Sequence, residues 1–145
     1  MFHGRFPHTI DDKGRLSIPA KFRDVLARQE ERALFLLELD HCITAFPHQE
    51  WQQIEAKILE RGALRPEVRE FLRTVYSGAA ETEVDRSGRI LIPQAFRETV
   101  GLVRDAMIVG VMNRFEIWSK DRWEHLLRSK VGQREEIMDK LAEYL

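Results

Sequence analysis

Asp11, Gly14 and Arg15 recur as Asp85, Gly88 and Arg89, a constant 74 residues further along the chain. An arginine four residues after a carboxylate, with a glycine between, supports two compatible chemistries. The carboxylate can bond backbone amides ahead of it and brace a tight turn, pairing with the arginine as it does so. The same arginine, carried on a two-stranded ribbon, can contact nucleic acid and pair bidentately with guanine. Each turn holds one further cation, Lys13 in the first and Arg86 in the second. Arg15, Arg89, Lys13 and Arg86 are therefore the candidate binding residues. Asp11, Gly14, Asp85 and Gly88 are the residues that shape their turns.

These residues belong to a longer internal repeat. Segment 11–23 reads DDKGRLSIPAKFR and segment 85–97 reads DRSGRILIPQAFR, identical at seven of thirteen positions. Further on, Phe46 and Trp51 align with Trp118 and Trp123 at an offset of 72, so the second copy has a connection two residues shorter. A repeat fixes how a chain is built. The units span 5–52 and 81–124, with a helical linker over 53–80 and a helical tail over 125–145.

Each unit has the same local grammar. Asp at the first and Gly at the fourth position is the composition of a type I turn, with glycine supplying a left-handed conformation. Ile10 and Val84 lead into the turns, while Leu16/Ile18 and Ile90/Ile92 alternate out of them, as in a hairpin. Pro19 and Pro93 end the second strand for want of an amide and suit the start of a helix. Lone hairpins this short are marginal in water. The economical solution is for the copies to interleave as one pseudo-two-fold β barrel with peripheral helices, an α+β fold rich in strand. Helices are predicted over 48–61 and 65–77, the second with Val68, Phe71, Leu72 and Val75 on one face. Ser119 is a predicted N-cap for a helix carrying Trp123, Leu126 and Leu127. The tail over 134–145 presents Ile137, Met138, Leu141 and Leu145 as one apolar stripe, suited to core packing or to a subunit interface, to which the 65–77 helix and the tail are both expected to contribute.

A net charge of −1 argues against a uniformly basic DNA-binding domain. Its distribution is uneven, however. Residues 1–28 carry six basic and three acidic side chains and residues 84–104 carry four and two, so the remainder sums to −6. The repeated motifs are basic islands on an acidic scaffold, which is where phosphate binding needs them. No stretch approaches the ~20 apolar residues of a membrane span, and the first residues lack a secretory pattern. One cysteine, Cys42, excludes an internal disulfide and suits a reducing compartment, so a cytoplasmic location is expected.

Catalytic and metal motifs are missing. The five histidines form no paired-ligand spacing, and His41-Cys42 stands without a second cluster, so no metal or cofactor is expected. Cys42 lies in an apolar strand and reads as a small buried hydrophobe. Nucleophile-elbow, P-loop and dinucleotide-binding glycine patterns are absent. The sequence offers nothing for an enzyme.

The opening Phe2-x-Gly4, the run His8-Thr9-Ile10-Asp11-x-Lys13-Gly14-Arg15-Leu16-x-Ile18-Pro19-x-x-Phe22-Arg23 and the second DRSGRILIP at 85–93 resemble the MraZ family over almost the whole chain. That resemblance implies a fused pair of SpoVT/AbrB-like swapped-hairpin units and a bacterial transcriptional regulator. It further implies binding of short direct repeats in double-stranded DNA upstream of a division and cell-wall operon, usually as a repressor. Closed octameric or dodecameric homo-oligomer rings and association with the nucleoid are implied as well, and the family's D-x-x-x-R motifs fall on Asp11/Arg15 and Asp85/Arg89. Two other readings are weighed: an antitoxin-like protein-interaction module, and a nucleoid protein without sequence preference. The first sits poorly with two hairpin units and a charge-mixed, apolar-striped tail.

Overall fold

The computed structural model describes residues 1–145. The first copy contributes β1 (Arg5–Thr9), β2 (Arg15–Ser17), α1 (Ala20–Arg28), β3 (Ala33–Leu39), β4 (Cys42–Pro47) and α2 (His48–Arg61). A connecting helix, α3 (Pro66–Thr74), and a 3-10 turn (Tyr76–Gly78) follow. The second copy contributes β5 (Ala80–Glu83), β6 (Arg89–Leu91), α4 (Gln94–Val100), β7 (Asp105–Gly110), β8 (Phe115–Ser119) and α5 (Lys120–Ser129). Helix α6 (Arg134–Ala142) ends the chain. No helix is long and apolar enough to cross a membrane.

Six strands form one antiparallel sheet in the order β1-β7-β8-β4-β3-β5, and β2 pairs with β6 as a separate ribbon. That order reads the same when the copies are exchanged: β1 maps to β5, β7 to β3 and β8 to β4. The pseudo-two-fold axis passes where Thr44 faces Glu116 and where Leu16 faces Ile90. The copies are interleaved. Each gives its first strand to the other's hairpin, β1 lying on β7 and β5 on β3.

The expected closed barrel does not form; the sheet is open, with β1 and β5 as its edges. Within each copy the anticipated hairpin is little more than a turn, for β1 and β2 share a single isolated pairing, Ile10 with Leu16. The reason is local. The outward amides of Arg15 and Arg89, which would continue a ladder, donate instead to Asp11 Oδ1 and Asp85 Oδ1, each at 2.9 Å. Pro19 and Pro93 then end the strands after three residues.

The ribbon's inner face plugs the sheet. Leu16, Ile18, Ile90 and Ile92 are fully buried in a core of 19 residues that includes Phe22, Phe96, Ile108, Phe115 and Ile117. Burying each such side chain contributes about 1.5–3 kcal/mol. Two smaller clusters repeat the symmetry at the flanks. Trp51 stacks on Phe35 at 4.7 Å in one, and Trp118 packs against Trp123 at 5.7 Å in the other.

Helix α2 matches its expected span, while the 65–77 helix ends at Thr74 and passes into the 3-10 turn. Phe71, and Val75 just past the helix, pack half-buried against the Phe35–Trp51 cluster, while no residue of the helix is fully buried. Ser119 caps α5 as expected, its hydroxyl accepting from the Arg122 amide at 3.2 Å. Pro19 and Pro93 stand one residue earlier than anticipated, as N-caps of α1 and α4. The tail helix α6 leaves its whole stripe exposed, including Ile137, Met138 and Leu141. Cys42 is buried, as its place in an apolar strand suggested, and desolvation there pushes its thiol pKa up.

Candidate nucleic-acid interface

Alternation along β2 and β6 sorts their side chains cleanly. Leu16 and Ile90 point into the core, so Arg15, Ser17, Arg89 and Leu91 share the outer face. The register places Arg15 opposite Leu91 and Ser17 opposite Arg89. The two candidate arginines, 74 residues apart in sequence, thus stand diagonally across one short ribbon. Their side chains are 38% and 35% exposed, open enough to meet a ligand.

The turns that launch them are built alike. Gly14 N–H donates to the Asp11 carbonyl at 3.0 Å, and Gly88 N–H donates to the Asp85 carbonyl at 2.9 Å. Asp11 Oδ1 also accepts from the amides of Lys13 and Arg15, and Asp85 Oδ1 from those of Ser87 and Arg89. These amides hold both carboxyls below the ordinary carboxylate range. For Asp11 the largest cause is the Arg15 amide, which outweighs desolvation and is joined by the Arg15 guanidinium. For Asp85 it is the Arg89 amide, with Arg15 adding a weaker field from across the ribbon.

The two braces differ in one respect. Arg15 Nε donates to Asp11 Oδ2 at 2.8 Å, which fixes the guanidinium while both Nη groups stay free of bonds within the chain. Arg89 Nε lies 3.7 Å from Asp85 Oδ2, too far for a hydrogen bond, and is buried without a partner. Arg15 is therefore pre-oriented and Arg89 is not. Lys13 and Arg86 are both exposed, each on the turn that leads into its motif arginine. Their turns lie at opposite ends of the ribbon, because Gly14 meets Ile92 at one end and Gly88 meets Ile18 at the other. The cations bracket a stretch of about 13 Å.

Two arginines that the motif reading passed over complete the arrangement. Arg23 Nε donates to the Ile18 carbonyl and Arg97 Nε to the Ile92 carbonyl, each at 3.1 Å. Each guanidinium then covers the turn glycine of the other copy, Arg23 over Gly88 and Arg97 over Gly14. The signal was present, since both arginines are among the identical positions of the repeat. His8 Nδ1 and Ser17 Oγ, 2.8 Å apart, form a further polar contact beside the ribbon.

The whole sequence is similar to known proteins. A family model described as "MraZ protein, putative antitoxin-like" matches the chain twice, over residues 1–74 and 75–143. A protein of Acetivibrio thermocellus named transcriptional regulator MraZ is 42% identical over 142 residues, covering 98% of this chain and 97% of that one. Its namesake in Moorella thermoacetica is 42% identical over 144 residues, 99% of both chains. That of Pelotomaculum thermopropionicum is 43% identical over 143 residues, 99% of this chain and 97% of its own.

Proposed function

The chain belongs to the MraZ family, and from that membership we propose that it is a transcriptional regulator that binds double-stranded DNA through the outer face of the β2–β6 ribbon. The observation that carries this reading is the pairing of Arg15 and Arg89 on one exposed ribbon, each launched from an aspartate-braced turn. A two-stranded ribbon fits the major groove, where arginine pairs bidentately with guanine. In this reading Arg15 is the principal base reader, Arg89 assists, and Lys13 and Arg86 at the two ends hold phosphates. Asp11, Gly14, Asp85 and Gly88 shape the turns.

The finer parts of the proposal follow the family. The units 5–52 and 81–124 act as the two halves of one reader, joined by the 53–80 linker. Several copies, assembled through surfaces that include the 125–145 tail, form a ring on the nucleoid in the cytoplasm. The ring grips short direct repeats upstream of its own division and cell-wall operon and represses it. Linking several weak contacts gives one strong one when repeat spacing matches subunit spacing.

A competition assay tests the reading. Bound to a duplex from its own upstream region, the protein should resist an excess of unrelated DNA, because base contacts add to the shared phosphate term. Displacement by unrelated DNA as readily as by the same duplex would make it a nucleoid-coating protein.

A further inference from the structure

Resting on the reading above, in which the ribbon enters the major groove, we propose that Leu91 is a specificity-determining residue that packs against the 5-methyl group of a thymine next to the base pair read by Arg15. Leu91 is 55% exposed although its neighbours Ile90 and Ile92 are fully buried. Single exposed leucines are ordinary on protein surfaces; the position of this one is not. It is the direct cross-strand partner of Arg15 on the outer face.

The ladder brings these two side chains close. Its hydrogen bonds run at Ile92 N to Gly14 O, 2.7 Å, and Ile18 N to Gly88 O, 2.8 Å. Alternation then makes Arg15–Leu91 a non-hydrogen-bonded pair, the kind whose Cα atoms approach to about 4.5 Å. The free amides on either side are tied down, Arg15 N by Asp11 Oδ1 and Leu91 N by Thr82 Oγ1 at 3.3 Å. A pre-oriented guanidinium and an exposed isobutyl group therefore stand side by side on the outer face.

The pseudo-two-fold symmetry breaks at this point. The repeat counterpart of Leu91 is Ser17, which is engaged with His8 and lies opposite Arg89. One end of the ribbon presents Arg15 with an apolar neighbour, and the other presents Arg89 with a polar one. In the major groove, guanine offers the acceptors that arginine needs, and thymine alone offers a methyl group. An Arg–Leu pair fits a guanine beside a thymine, and an Arg–Ser pair has no such apolar demand. A single ribbon thus reads an asymmetric element despite its near-symmetric backbone.

The test replaces each thymine of the upstream duplex in turn by deoxyuridine, which removes only the methyl group. Wild type, Leu91→Ser and Leu91→Ala are titrated against every duplex, with circular dichroism confirming that the exposed substitutions leave the fold intact. One thymine should emerge at which deoxyuridine weakens wild-type binding about fourfold, the effect of uncovering a group of methyl size. Both variants should bind the unmodified duplex with that same loss and be indifferent to deoxyuridine at that position. Undiminished sensitivity to deoxyuridine in Leu91→Ser, or none at any position in a wild type that still prefers its own duplex to a scrambled one, overturns the assignment of Leu91. A wild type indifferent to scrambling overturns the DNA-reading proposal beneath it.

Discussion

The guanidinium of Arg97, from the second copy, covers Gly14, from the first, with Cζ 3.0 Å from where a β-carbon would stand. The mirror contact sets Arg23 over Gly88 at 2.8 Å. Each motif's turn is thus covered by an arginine supplied by the other motif, so the ribbon with both its turns is a joint product of the two interlocked copies.

Substitution at these glycines should show the coupling. Gly14 has φ +85° and Gly88 φ +77°, a conformation that side chains resist. A β-carbon on Gly14 would also meet the Ile92 carbonyl at 2.8 Å, which is backbone, whereas on Gly88 it would meet only the movable Arg23 side chain. Both alanine variants should lose about 1–3 kcal/mol of stability in chemical denaturation, Gly14→Ala losing more. Equal losses would show that contact with Ile92 is immaterial.

Acid should loosen the same turns. Asp11 and Asp85 have folded-state pKa values below their unfolded ones, so their contribution is complete above the ordinary carboxylate range. It is lost as pH falls through the lowered values and the carboxyls take up protons. Asp11→Asn/Asp85→Asn should be less stable than wild type at neutral pH, with the gap narrowing below about pH 4. Thermal melts across pH 7 to 2 would show this, and a constant gap would mean the carboxylate charge does not matter.

The tail predicts assembly. Ile137, Met138 and Leu141 are 50%, 57% and 45% exposed, with nothing in the chain covering them. If α6 builds a subunit interface, Ile137→Asp/Leu141→Asp should reduce the mass seen by light scattering without lowering the melting temperature of the subunit. An unchanged mass would remove α6 from the interface.

Much of this fold was legible because it was written twice. The repeat exposed the copies, Pro19 and Pro93 marked the strand ends, and Ser119 announced its helix. Interleaving also followed, since strands of three residues cannot stand alone. What failed was closure. Periodicity shows which face of a strand is buried but not whether its outward amides meet another strand or an aspartate side chain, and here Asp11 and Asp85 take them. For the candidate site, the spacing of the repeat singles out Arg15 and Arg89. It does not reveal that Arg23 and Arg97 cover the opposite copy's turns or that Leu91 stands across from Arg15. Their positions depend on which strand of the other copy lies opposite, a long-range register that local pattern does not encode.

The central claim is that Arg15, braced by Asp11 at 2.8 Å, reads bases. Its direct test is the affinity of wild type, Arg15→Ala and Arg89→Ala for intact and scrambled upstream repeats at two salt concentrations. Arg15→Ala should lose about 1–3 kcal/mol on intact repeats and little on scrambled ones, with Arg89→Ala affected less. Arg15→Ala binding as tightly and as selectively as wild type would contradict the claim and return the duplicated motif to architecture.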